Sequence, residues 1–175
     1  MAGAFLEFTL NDDPVMQGLA RLEAGVEDAQ PLLRQIGAYG VRSTQERFLS
    51  ETAPDGARWA PLNPAYAELK GGGYNILFKS GALMNSMNSR AGLNEVSWGS
   101  PMIYAAVHQF GATIKPKNAP ALEFLLGNIG SRGLVPVFLV RVKSVTIPAR
   151  PYLGINAADR EEIVALTGDY IRELL

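Results

Sequence analysis

Helical periodicity is confined to the two ends of this chain, and the stretch between them is cut into short segments by proline and glycine. Near the front, Asp12 and Asp13 precede Pro14, an N-cap followed by proline at the first helical position. Val15, Leu19, Leu22 and Val26 then fall at helical spacing, which predicts a helix over about 14–29. Pro31 opens a second helix reaching about residue 50. In it Leu32, Leu33, Ile36, Tyr39 and Val41 lead toward Phe48, Arg42, Ser43, Gln45 and Glu46 fill the polar side, and Gly37 and Gly40 weaken it. At the back, Asn156 caps a helix whose early turns hold Asp159, Glu161 and Glu162, where the macrodipole favours acid. Its apolar stripe is Ile163, Leu166, Tyr170, Ile171 and Leu174.

Between the helices the segments read as β-type. Residues 4–10 suggest an opening strand. Residues 52–75, with Pro54, Gly56, Pro61, Pro64 and Gly71-Gly72-Gly73, carry loop chemistry, with a helical turn after Asn63-Pro64 and another capped by Ser80. Residues 85–100 predict a hairpin turning at Gly92-Leu93-Asn94. Pro101 opens a short helix with Ile103, Tyr104 and Val107 on one face and Gly111 as its stop, and 112–115 forms a strand. Residues 119–126 and 134–142, joined by 127–133, make a long hairpin arm within an insertion at 116–143. The expected fold is therefore α+β rather than alternating βαβ. Two N-terminal helices and one C-terminal helix pack on a small antiparallel β-sheet, with a long β-hairpin arm, in a single domain over 1–175.

Composition narrows the function. The 175 residues contain no cysteine and one histidine, His108, which removes thiol chemistry, iron–sulfur clusters and histidine-rich metal sites. Glu7 interrupts the apolar start expected of a signal peptide, and the longest apolar run, 134–140, falls far short of the ~20 residues of a membrane helix. The net charge of −1 hides an asymmetry. Residues 111–150 hold six basic side chains against Glu123, about +5, which leaves about −6 elsewhere. Opposed surfaces of this kind suit stacking on copies of the same chain or on a charged partner, and equally fit ordinary solvated side chains.

Catalytic patterns are weak. Gly73, Lys79 and Ser80 resemble part of a phosphate loop, but Phe78 stands where that loop needs glycine. No Gly-x-Ser-x-Gly elbow accompanies His108. The paired carboxylates Asp12-Asp13 and Glu161-Glu162 sit at helix starts, which accounts for them.

A series of blocks in fixed order says more. Arg47-Phe48 is followed by Pro54-Asp55-Gly56-x-x-Trp59-x-x-Leu62, Lys70, and Ile76-Leu77-Phe78-x-x-Gly81-x-Leu83-x-x-Ser86. Then come Gly99-Ser100, Tyr104-Ala105-x-x-His108-Gln109-Phe110-Gly111, and Ile147-Pro148-Ala149-Arg150-Pro151-Tyr152-Leu153-Gly154. Over about residues 30–172 the chain resembles the phage virion morphogenesis family, the tail-completion or head–tail joining proteins of tailed phages and Mu-like prophages. The insertion at 116–143 is its departure. The resemblance implies a virion neck part without catalytic activity, cofactor or metal. It also implies a homo-oligomeric ring, by family analogy of six subunits, that meets the tail tube protein and the head–tail connector or adaptor. Genomic DNA passes through such a ring without sequence-specific binding, and no membrane is involved.

On this reading Trp59, Tyr104, His108, Gln109, Phe110, Arg141, Lys143 and Arg150 are the candidate subunit or partner contacts. Tyr104 and Phe110 suit a core as well as an interface centre. His108 suits a helix end bonded to a carbonyl as well as a subunit contact. Arg150, presented rigidly between prolines, pairs with a carboxylate in its own subunit or across a ring interface. The arm is expected to reach a neighbouring subunit or the tail tube by strand addition. The competing expectation is a cytoplasmic assembly accessory or DNA-binding protein acting through the basic segment 111–150.

Overall fold

The second helical pattern forms the longest element, α2 (Gln30–Ser50), and several others are laid against it. A computed structural model describes residues 13–64, 66–67, 75–126, 129–130, 133–134 and 138–175. The strand expected over 4–10, Lys70 and the glycine triplet at 71–73 lie outside them. α1 (Asp13–Glu27) precedes α2 within a residue or two of its expected bounds. Pro31 stands in the first turn of α2, where its missing N–H is no loss. The helix closes at Glu51, left-handed at φ 56°, whose N–H donates to the Arg47 carbonyl.

Gly37 and Gly40 do more than weaken α2. β1 (Asn88–Ala91) and β2 (Val96–Gly99) form the expected antiparallel hairpin, with Ser89 opposite Trp98. This hairpin packs on α2 so closely that a Cβ at Gly40 would lie 2.6 Å from the Trp98 ring, and one at Gly37 2.9 Å from the Ser89 side chain. Each glycine costs the helix about 1 kcal/mol in propensity and admits the sheet in return.

Two shorter helices follow the loops around this hairpin. α3 (Ala82–Asn85) is capped by Gly81 at φ 75° rather than by Ser80, whose hydroxyl accepts only a long 3.3 Å bond from the Ala82 N–H. α4 (Ala105–Phe110) starts later than expected. The Met102 N–H is held by the Ser100 hydroxyl at 3.1 Å, and the Ala105 N–H closes a turn onto the Met102 carbonyl at 2.9 Å. Ile103 and Tyr104 therefore precede α4 instead of lining its buried face, and Ile103 is 97% exposed.

α5 (Ala157–Leu174) carries the expected cap as a reciprocal box. The Asp159 N–H donates to Asn156 Oδ1 and the Asn156 N–H to Asp159 Oδ2, each at 2.8 Å. Ile163, Leu166, Tyr170 and Leu174 are half-buried, but Ile171, expected in that stripe, is exposed. α1 packs against the end of α5, where the Tyr170 hydroxyl reaches the carbonyls of Gly25 and Asp28 at 3.2 and 3.1 Å.

The strands beyond α4 form three successive antiparallel ladders of one long hairpin. β3 (Ala112–Ile114) pairs with β8 (Val145–Ile147), β4 (Leu122–Leu126) with β7 (Phe138–Val142), and β5 (Ile129–Gly130) with β6 (Gly133–Leu134). The arm thus starts at residue 112, lower than expected. Residues 119–121, expected in its first strand, are not paired. The structure is α+β as expected, its antiparallel pairing distributed, among the described residues, over four two-stranded ladders.

Candidate functional site

The motif blocks converge on one buried residue, Tyr152. It is fully enclosed with Phe48 in a core that also holds Ala53, Trp59, Leu83, Met87 and Ala105. Phe48 meets Trp59 edge-on at 5.5 Å between ring centroids and Tyr152 at 5.0 Å. The Tyr152 hydroxyl donates to the Ala105 carbonyl at 2.8 Å, and the Trp59 indole N–H to the Pro151 carbonyl at 2.7 Å. Trp59 is brought there by the Pro54-Asp55-Gly56 turn. Gly56 (φ 83°) returns its N–H to Ala53 at 2.9 Å, and the Trp59 N–H donates to the Glu51 carbonyl at 2.9 Å. Ser86 and Ser100 join their hydroxyls at 2.7 Å and so link α3 to the approach to α4.

Gln109 acts as a clamp on the extended segment 150–154. Its Oε1 accepts from the N–H groups of Tyr152 and Leu153, each at 3.0 Å, and its Nε2 donates to the Leu153 carbonyl at 3.0 Å. Pro148 just before this segment and Pro151 within it keep it from finding a regular ladder, so a side chain supplies the missing partners. At Gly111 (φ 74°) a Cβ would lie 2.8 Å from the Ala149 nitrogen, which is why the chain turns there on glycine.

Within the chain Arg150 bonds backbone carbonyls rather than the carboxylate expected there. It is 5% exposed, its Nε donates to the Ala60 carbonyl at 2.7 Å and its Nη2 to the Pro61 carbonyl at 2.9 Å. Two carbonyls serve because this part of the 52–75 loop, broken by Pro61, leaves them turned inward. The Arg150 N–H in turn donates to the His108 carbonyl at 2.8 Å. His108 is half-buried, its Nδ1 has no hydrogen-bond partner, and its ring meets that of Tyr104 edge to face with centroids 5.9 Å apart. Burial first, and the Arg150 charge second, lower its pKa. The same burial lowers that of Arg150.

A polar cluster that the sequence reading missed ties the two terminal helical regions together. Arg47 and Asp159 form a buried ion pair. Arg47 Nη1 also donates to the carbonyls of Tyr152 and Gly154 at 3.0 and 2.7 Å, and Asp159 Oδ1 accepts from the hydroxyls of Tyr39 and Ser43 at 2.9 and 2.6 Å. Ser43, expected on the polar side of α2, therefore faces this cluster. Burial alone would raise the Asp159 carboxyl. The bonds from the Asn156 backbone, Ser43 and Tyr39, with the Arg47 charge, outweigh it and hold the pKa below the usual carboxylate value.

The candidate contacts thus divide. Trp59 and Arg150 are consumed inside the chain and Gln109 is engaged there. Phe110, at the end of α4, is 77% exposed, and Tyr104, just before the start of α4, is exposed as well. On the arm, Arg141 pairs with Glu123 at 2.8 Å across β4 and β7, both exposed, while Lys143 is exposed past the end of β7. The basic segment therefore presents fewer free cations than its composition implied. Among the described residues no cluster of three metal-ligating side chains occurs, and no helix is long and apolar enough to cross a membrane.

Known proteins resemble this chain along most of its length. Protein G of Escherichia phage Mu, named for capsid assembly, is 29% identical over 135 residues, 74% of this chain and 71% of that protein. G protein 2 of the Mu-like prophage FluMu of Haemophilus influenzae is 28% identical over 165 residues, 94% of each. No solved structure matches. The pattern of one family extends over residues 10–172 and includes every block that converges on Tyr152: this chain belongs to the phage virion morphogenesis family.

Proposed function

We propose that this chain is a structural part of the virion that closes into a ring at the head-proximal end of the tail and joins it to the head connector. On this reading it acts by assembly, without catalysis or cofactor, in the host cytoplasm and then in the virion neck. Family membership and the phage Mu relative named for capsid assembly support the assembly role. The ring reading is carried by one observation. The long hairpin from β3 to β8 pairs with itself, and among the described residues β4 and β7 pack extensively only on each other. A two-stranded ribbon is marginal alone in water, so an arm of this length gains from a neighbour.

The test is light scattering after size exclusion, with negative-stain images of the same peak, on the chain alone and mixed with tail tubes. A particle several times the 18.9 kDa subunit mass with a central hole supports the ring. A chain that stays monomeric alone and binds no tail overturns it. The DNA-binding alternative has less to stand on, since Arg150 is buried against carbonyls and Arg141 is paired. Among the described residues of the segment, Lys115, Lys117 and Lys143 remain exposed, too spaced for a phosphate-tracking patch.

A further inference from the structure

The pleat of the arm sorts its side chains. Register pairs Leu122 with Val142 and Phe124 with Val140, so these four share one face of the ribbon, while the Glu123–Arg141 ion pair lies on the other beside the exposed Leu139. Phe124 is exposed and the other three are half-buried, with no helix packed extensively over them.

The acid that balances this basic region is concentrated in one layer. α1 and α5 together carry eight acidic residues and three basic ones, about −5, nearly all of the −6 outside 111–150. That layer also exposes an apolar stripe. Val164, Ile171 and Leu175, spaced so that they fall on one helical side with Gly168 between, are 70%, 42% and 62% exposed. Leu19 on α1 is exposed as well, and Gly18 lies against Leu175. One chain thus offers an apolar face with a basic surround and an apolar face with an acidic surround, on different elements. Such a pair of unlike, complementary surfaces makes a heterologous contact between copies, the kind that closes rings.

We propose that the apolar face of the arm of one copy docks on the Val164–Ile171–Leu175 stripe of the next, with Lys115, Lys117 and Lys143 drawn to the acidic α1–α5 layer. This rests on the ring reading and names the contact that builds the ring. It places the arm's face, rather than its open strand edge, on the neighbour, because the Leu122–Val142 and Phe124–Val140 pairs make that face apolar, whereas the other face carries the Glu123–Arg141 ion pair.

The absence of native cysteine makes a cross-linking test direct. A Val140→Cys chain and a Val164→Cys chain are mixed, assembled and mildly oxidised, with circular dichroism checking each fold. The expected result is a heterodimer of the two variants on non-reducing gels, with neither variant cross-linking when alone. In a second variant, Val164→Glu, the concentration for half-assembly rises about tenfold or more. An assembled particle that gives no heterodimer, or that tolerates Val164→Glu, overturns this contact and leaves the ring standing. A wild-type chain that forms no oligomer alone and binds no tail overturns both.

Discussion

Arg47 and Asp159, 112 residues apart in the chain, form a buried ion pair that fastens the last turns of α2 to the first turn of α5. Neither residue serves the other alone. Arg47 holds the segment after Tyr152 by its carbonyls, and Asp159 closes the α5 cap, so one pair joins the N-terminal helix, the core and the C-terminal helix.

Breaking this pair is expected to be among the costliest single changes in the chain. Arg47→Ala leaves the Asp159 carboxylate buried without its cation and should lower stability by about 3–5 kcal/mol in urea unfolding. The pH dependence has a definite sign. The native carboxyl titrates below its unfolded value of 3.8, so its contribution is complete above that value and is lost as pH falls through the native one. Asp159→Asn should flatten this acid limb, and an unchanged limb would assign the acid sensitivity to other groups.

Gly40→Ala tests the sheet against the helix. Helix propensity alone predicts a gain of about 1 kcal/mol, whereas the Trp98 ring lies where the new methyl must go. Overpacking costs of about 1–3 kcal/mol should win, giving net destabilisation. In a Trp98→Ala background the same substitution should become neutral or stabilising, and the double-mutant cycle measures the coupling.

His108 should give the chain a second, separate pH response. Its native pKa is lowered by burial and by Arg150, while the unfolded chain titrates near 6.5. Between the two values the unfolded state binds more protons, so stability falls as pH drops from about 6.5 toward the native value and is flat above. His108→Gln should remove that slope below about pH 6.5 in urea titrations, with Arg150 and Tyr104 unaltered. A slope that persists in the variant would point to another group.

What the sequence made legible follows from how local each signal is. The bounds of α1 and α2, the Asn156 cap of α5 and the β1–β2 hairpin rest on residues a few positions apart, where periodicity, caps and turns act. The role of Gly37 and Gly40 was not legible, because propensity counts their cost and cannot see Trp98 or Ser89 arriving from far along the chain. Asp159 read as a favourable charge at a helix start and Arg47 as part of a motif. Their pairing depends on the α2–α5 crossing, which no short window contains. Arg150 was expected to seek a carboxylate, yet Pro61 and the irregular loop before it left carbonyls inside that a guanidinium satisfies equally well. Burial also separated residues that adjacency had grouped. In the block from Tyr104 to Gly111, Ala105 lies in the core and Gln109 clamps the chain, while Phe110 faces outward.

That separation supports a last expectation, concerning the surface around α4. Ile103 and Phe110 are almost fully and three-quarters exposed, while Ala105 and Gln109 between them are fixed to the core, so the two large apolar side chains are presented on a rigid support. Nothing in the monomer benefits from their exposure. Ile103→Ser and Phe110→Ser should therefore leave urea stability within about 0.5 kcal/mol of the parent, as solvent-facing changes do. If this surface meets a subunit or a virion partner, the Phe110 change should weaken ring formation or tail binding by about 2 kcal/mol or more, roughly thirtyfold, as buried aromatic anchors do. Leu93→Ser, at the equally exposed turn of the β1–β2 hairpin, is the control and should change neither. Sedimentation of each variant, alone and with tails, reads both outcomes. Phe110→Ser that assembles and binds like the parent would remove the α4 surface from the contacts and leave the arm and the α1–α5 layer to account for assembly.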